Sequence, residues 1–387
     1  MSKLEKFLKS RFAAALVAVL VGFAVSAIVL AAAGFSPIGS FAALLKGAFG
    51  KPKYIANVII KATPILLTGV SVAFAFKTGL FNIGAEGQYI LGATLATIVG
   101  VKLNLPMPLQ VPIVLAAGII GGAALGAFVG WLKARFGIHE VITSIMCNWI
   151  AFYLCNYVVM TDTFHKPNSN SALPVSGSSY TMILGNWKKT PAGKEFLGGI
   201  PWLREIMLKT DLNYGFVIAV LVAILISFIL TRTNLGYELR AVGFNRDAAR
   251  FSGIPVERNI VLSMLIAGAI SGLAGALTIT GISPHTITLL AAMESYGFNG
   301  LSVAFIAGSS PVGCIPASLL FASLIYGGMS VDAPTEIINI MIGIIVFFTA
   351  LPGVTPLLAD MVKKRLKGKD ETPKVTKDGT PLPEKEV

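Results

Sequence analysis

The sequence predicts an all-α, polytopic integral membrane protein with about ten transmembrane helices, on three observations. Of its 387 residues, 55% are hydrophobic and only 13% charged, about half the charged share of a soluble domain. The apolar residues gather into runs long enough to cross a bilayer, which needs ~20 of them. Forty glycines suit the close backbone approach by which helices associate in lipid.

The first run, 12–33, follows Lys3, Lys6, Lys9 and Arg11. No small-residue cleavage site on polar ground comes after it, so it reads as a retained helix and not a signal peptide. Residues 34–53 read as a short amphipathic connection. Further runs follow at 54–76, 81–101, 111–132, 139–160, 212–231, 258–281, 294–308, 313–329 and 336–351. Placing 1–11 in the cytoplasm puts 20 of the 31 Lys and Arg residues on inner segments. Of the ten on outer segments, six fall in one long insertion, which counts little toward the positive-inside bias. Both termini are therefore expected in the cytoplasm, with the chain in the plasma membrane. The transmembrane domain is expected over 12–354, with an extracytoplasmic insertion at 161–211 and a cytoplasmic loop at 232–257. Residues 355–387 are expected to form a disordered cytoplasmic tail. The net charge of +12 is thereby read as topology, with no nucleic-acid partner. Within the insertion, Trp187 and Trp202 read as interface anchors or as partner-docking residues.

Packing accounts for much of the remaining pattern. Gly118, Gly122, Gly126 and Gly130 recur every four residues and give one smooth helix face; Gly268, Ser271, Gly272 and Gly275 give a second. Cys147, Cys155 and Cys314 have no metal-like spacing and read as buried small residues.

Polar residues inside the runs are the candidates for function, because a charge at the bilayer centre costs ~2.5–3.5 kcal/mol on insertion scales. The stretch GLFNIGAEGQYILGA from Gly79 carries Asn82, Glu86 and Gln88 among glycines. Such a glutamate is expected to face a bundle interior or a wet cavity rather than lipid. The stretch recurs in weaker form at Gly297, Phe298, Asn299 and Gly300. That recurrence fits an inverted repeat whose interrupted helices meet at a substrate pathway; chance likeness in a glycine-rich chain is the alternative. Glu140, Ser144 and Asn148, at four-residue steps, share one helix face. They line a pathway, or else cap and hydrogen-bond neighbouring helices. Lys61 is close enough to the outer end of its run to snorkel.

No G-x-x-x-x-G-K-[ST], H-E-x-x-H, G-x-S-x-G or Cys/His cluster occurs, so the chain is read as a non-enzyme that does not itself hydrolyse ATP. The inner loop holds Arg232, Arg240, Arg246, Arg250 and Arg258, with helix formers over Glu238–Ala249 and a stop at Gly253 and Pro255. A short cytoplasmic helix for a soluble partner is one reading of it; a positive loop that orients the protein is the other.

Four stretches resemble a known family: GLFNIGAEGQYILGA from Gly79, GWLKARFGIHEVITSIMCNWIA from Gly130, LRAVGFNRDAARFSGIP from Leu239 and YGFNGLSVAFIAGSSPVG from Tyr296. The chain resembles permease subunits of ATP-binding-cassette importers in the branched-chain amino acid/ribose/nucleoside permease superfamily, and most of all the nucleoside permeases. The resemblance implies a translocation pathway formed with a second permease subunit and driven by a cytoplasmic ATPase subunit. It further implies delivery of cargo by an extracytoplasmic substrate-binding lipoprotein. It implies no cofactor in this chain; ATP and magnesium belong to the partner ATPase. Pathway residues are then expected among Asn82, Glu86, Gln88, Glu140, Ser144, Asn148, Phe298 and Asn299. Coupling to the ATPase is expected from Glu238, Leu239, Arg240, Ala241, Val242, Gly243, Asn245, Ala248, Ala249 and Gly253. A permease for ribose or another simple sugar, and an ion-coupled secondary transporter, are the competing readings.

Overall fold

Each apolar run carries a helix, because a backbone in hydrocarbon must satisfy its own N–H and C=O groups. The computed structural model describes residues 11–185 and 187–350. Among them the regular structure is helical, apart from three isolated β-bridges. Lys3, Lys6 and Lys9 and the tail expected at 355–387 lie outside the described residues. The protein is an all-α, polytopic membrane protein. Among the described residues, five helices are long and apolar enough to cross a bilayer.

The described residues form two compact units, one of 11–37 with 339–350 and one within 38–338. In the first, α1 (Arg11–Ala32) meets α15 (Thr335–Ala350). There Ser26 Oγ donates to the Met341 carbonyl at 3.2 Å, and a Cβ on Gly22 would lie 2.8 Å from the Ile345 backbone.

The second unit begins with α2 (Pro37–Phe49), a helix within the stretch read as a connection. Then come α3 (Pro52–Lys77), α4 (Ala85–Lys102), α5 (Met107–Phe136) and α6 (Glu140–Met160). The insertion carries two short helices, α7 (Pro191–Gly198) and α8 (Pro201–Lys209), and leads to α9 (Gly215–Arg232). Two more short helices, α10 (Asn234–Phe244) and α11 (Arg246–Phe251), precede α12 (Val256–Gly281). The unit closes with α13 (Tyr296–Ile306) and α14 (Cys314–Gly328). The apolar window of α3 is 89% buried and that of α12 is 72%, against 28% for α9. Thus α3 and α12 form the centre, and α9 leaves most of its surface to lipid.

The two glycine faces do meet. A Cβ on Gly122 would strike the Gly268 carbonyl and lie 2.7 Å from Gly272 Cα. Helices α5 and α12 therefore touch backbone to backbone, which any side chain at these positions would prevent.

Two regions depart from simple spans. Residues 78–84 are not helical, although 81–84 were expected to open the third span. Helix α13 has eleven residues, about 16 Å at 1.5 Å per residue, half the ~30 Å hydrocarbon core. The expected span 294–308 is a half-helix, and residues 282–295 before it are irregular. Strand-like contacts from the insertion brace that irregular segment. The N–H groups of Ala172 and Val175 donate to the Ile287 and His285 carbonyls at 2.9 and 3.0 Å, and the Tyr180 ring stacks on His285.

Candidate functional site

The site is organised by where the chain goes after α3. At Lys77 it turns and, instead of starting the next helix, climbs back along α3 over residues 78–84. Asn82 Nδ2 donates to Ser71 Oγ at 3.1 Å, and Ser71 lies six residues before the end of α3, about 9 Å inside it. Helix α4 thus starts within the helical bundle. An irregular backbone at such a place needs polar partners, since hydrocarbon supplies none.

The residues singled out by sequence supply them. Asn82 and Gln88 form a reciprocal amide pair, at 2.9 Å from Asn82 Nδ2 to Gln88 Oε1 and 3.1 Å from Gln88 Nε2 to Asn82 Oδ1. Asn148 Oδ1 accepts from the Gly87 N–H at 2.8 Å, and Asn148 Nδ2 donates to the Ile83 carbonyl at 3.1 Å. Glu140 pairs with Lys133 and accepts from the Phe81 N–H at 3.4 Å. Ser144 Oγ is buried with no partner among the described residues. Four of these five are at most 1% exposed, and Glu140 is 5% exposed. The five form a bracket around 79–88.

Glu86 closes the bracket on the half-helix. Its Oε1 accepts from the Ser295 N–H at 2.7 Å and its Oε2 from the Gly297 N–H at 2.6 Å. Ser295 is the N-cap of α13 and Gly297 lies in its first turn, where N–H groups have no partner within their own helix, and the negative charge meets the positive end of the helix dipole. A Cβ on Gly297 would overlap the backbone of Ala85 and Glu86, so only glycine lets the two elements this close. Thr68 Oγ1 also donates to the Tyr296 carbonyl at 2.9 Å. The two similar stretches seen in sequence therefore meet in space, joined further by the Phe81 and Phe305 rings at 6.0 Å. Phe298 is 38% exposed, and Asn299 is partly exposed.

Directly beside this junction lies an open cavity of about 170 Å³. Tyr89, Thr278, Ile279, Pro284, Thr286 and Glu294 are among the residues that line it. Its walls come from α4, α6, α12 and the irregular segment 282–294. Glu294 is accessible within the cavity, next to the Tyr89 phenol and within electrostatic range of Lys61. Sequence reasoning passed over both Glu294 and Tyr89. The usable signal was an acidic residue placed two positions before the YGFNG repeat.

On the other side, the inner loop sits on the start of the same stretch. The expected single helix is two, α10 and α11, divided at Asn245. That side chain accepts from the Asp247 and Ala248 N–H groups at 3.0 Å each, starting a new helix as an N-cap. Gly253, at φ +79°, ends the pair. Leu239, Val242 and Ala249 are buried against the chain itself, and Glu238 accepts from Asn259 Nδ2 at 3.0 Å. Arg240 bonds back to the Gly236 carbonyl of its own helix at 3.3 Å, and Ala241 is partly exposed. Asn245 and Ala248 are exposed. Gly243 lies on the Lys77–Gly79 backbone, and Arg246 Nη2 donates to the Gly79 carbonyl at 3.4 Å. Outward stand Phe244 and Phe251, 92% and 95% exposed, which sequence reasoning did not single out.

A buried polar bracket of this kind fits a transport scaffold, and the comparisons agree. Residues 54–350 match the model of the branched-chain amino acid transport system / permease component family. The chain belongs to this family. It is 34% identical to the guanosine ABC transporter permease protein NupP of Bacillus subtilis, over 90% of this chain and 96% of that one. It is 32% identical to the nucleoside ABC transporter permease protein NupB of Lactococcus lactis, over 90% and 93%. To the glucose ABC transporter permease protein TsgB13 of Haloferax volcanii it is 28% identical, over 85% and 84%. No solved structure matches. The protein is thus a membrane-embedded transporter subunit of this permease family, and not itself an enzyme.

Proposed function

We propose that this permease forms the translocation pathway for nucleosides in an ATP-driven importer. A separate cytoplasmic ATPase, a second permease subunit and an extracytoplasmic binding lipoprotein would complete the machine. The observation that carries the reading is the likeness, along nine-tenths of the chain, to two permeases named for guanosine and nucleoside. Helices α10 and α11 would sit in a groove of the ATPase, with both chain termini on that side of the membrane. Phe244 and Phe251 are the most exposed large apolar side chains on this loop, and aromatic anchors of this kind dominate protein interfaces.

The geometry supports a route for coupling. A push on α10 and α11 reaches Gly79 through Gly243 and Arg246, and the Gly79 stretch reaches α13 through Glu86. In this reading Asn82, Glu86, Gln88, Glu140, Ser144 and Asn148 position the pathway walls, while cargo passes in the neighbouring cavity. ATP binding would stabilise one orientation of the cavity over the other, the differential stabilisation that a conformational change requires.

The test is uptake into proteoliposomes holding the permease with its ATPase and binding protein. Radiolabelled guanosine should accumulate only with ATP inside the compartment that holds the ATPase. Uptake that persists without the ATPase and collapses with an ionophore would replace this reading with ion-coupled transport. A second reading, a sugar permease, draws on the glucose relative; glucose uptake without nucleoside uptake would establish it.

A further inference from the structure

The junction between α4 and α13 holds two carboxylates with opposite fates. Glu86 is 0% exposed, and each of its oxygens already accepts a backbone N–H. Glu294 stands beside it on the cavity wall, accessible, and forms no ion pair among the described residues. Its neighbours are the Tyr89 phenol and, at longer range, the Lys61 ammonium. A carboxylate kept inside a membrane protein without an ion-pair partner costs stability, and such groups mark substrate paths.

The rest of the wall narrows the ligand. Thr278 and Thr286 donate their hydroxyl protons to the Ala274 and Leu173 carbonyls and keep acceptor lone pairs, whereas Ile279 and Pro284 offer apolar surface. An ionised carboxylate only accepts hydrogen bonds, and its two oxygens suit two adjacent O–H donors. A flat apolar wall beside it suits a ring.

We infer that Glu294 is a cargo-recognition residue, accepting hydrogen bonds from two adjacent hydroxyls of a neutral ribose-bearing cargo while the Ile279–Pro284 wall of the cavity takes the base. The inference rests on the nucleoside reading above and adds to it the residue and the part of the cargo that is read. It also predicts discrimination: a 2′-deoxynucleoside leaves one carboxylate oxygen without its donor.

The experiment measures uptake of guanosine and 2′-deoxyguanosine by the complete transporter in proteoliposomes, with wild type and Glu294→Gln compared side by side. The binding protein is the same in both, so its own preference cancels when the two selectivity ratios are divided. Hydrogen bonds to a charged group are strong. Glu294→Gln is therefore expected to raise the guanosine KM about tenfold and to shrink the guanosine/2′-deoxyguanosine ratio of kcat/KM at least about fivefold. If Glu294→Gln does not assemble, Glu294→Asp keeps the charge, withdraws it by one methylene and should reduce the same ratio. An unchanged ratio, whether uptake is normal or lowered equally for both nucleosides, overturns the inference and leaves Glu294 a structural group. A wild-type complex that imports neither nucleoside overturns the nucleoside reading itself.

Discussion

Replacing Glu86 by Gln tests the junction on which the pathway wall depends. The carboxylate accepts from Ser295 at 2.7 Å and from Gly297 at 2.6 Å, one bond to each oxygen, and is 0% exposed. Glutamine preserves the volume but turns one acceptor into an N–H₂ donor that faces a backbone N–H. One charge-assisted bond, worth ~1.5–3 kcal/mol, is lost, and the other falls to roughly half its strength. A neutral amide is easier to bury than a charge, which returns part of the loss. The net is about 2–3 kcal/mol against docking of the α13 N-terminus, an increase in the undocked population of roughly 30- to 150-fold. Hydrogen–deuterium exchange across residues 290–300 reads this directly, because the amides of Ser295 and Gly297 are the donors being freed. Their exchange should accelerate by about that factor, with α5 and α12 unaffected. Uptake should fall at least about tenfold if the wall must be held for transport. Unchanged protection of Ser295 and Gly297 would show that the carboxyl group is already neutral or that its bonds carry no weight, and the reasoning would fail.

Other consequences follow from the same geometry. Asn148→Ala strips the partners from the Gly87 N–H and the Ile83 carbonyl; leaving them buried and unpaired costs ~1–3 kcal/mol each at most, so the thermal midpoint of the purified permease should drop. Gly122→Leu forces a side chain into the Gly268–Gly272 backbone and should abolish the monodisperse size-exclusion peak; a normal peak would mean that α5 and α12 do not touch. Phe244→Ala and Phe251→Ala remove side chains 92% and 95% exposed, so the permease should fold normally yet lose co-purification with its ATPase. Retained co-purification of the double variant would move the docking surface elsewhere.

How far sequence reaches is clearest at the Gly79 stretch. Its polar residues had to be buried and partnered, because lipid satisfies neither charge nor amide, and Asn82, Glu86 and Gln88 are all 0% exposed. Their partners were not readable. Glu86 bonds residues more than 200 positions away, and a carboxylate's demand for N–H donors does not name the donors. The inner loop behaves likewise. Its helix formers and its Gly253 stop were legible, but the side chain of Asn245 competes for the backbone and divides one helix into two.

What the sequence alone determined is therefore the class and the inventory: an all-α membrane protein, helices at each apolar run, two smooth glycine faces suited to helix packing, and the small set of polar residues that lipid could not tolerate. These follow from local composition and period, since hydrocarbon penalises every exposed polar group wherever it lies in the chain. Only the tertiary structure decided that residues 78–84 climb back along α3, that α13 is a half-helix, and that the two similar stretches meet at Glu86 with Glu294 left facing a cavity. Hydropathy records that a segment is buried, but not the direction in which it runs or which surface it meets. A re-entrant turn and a full crossing can have the same composition; long-range hydrogen bonds and backbone contacts at glycine distinguish them.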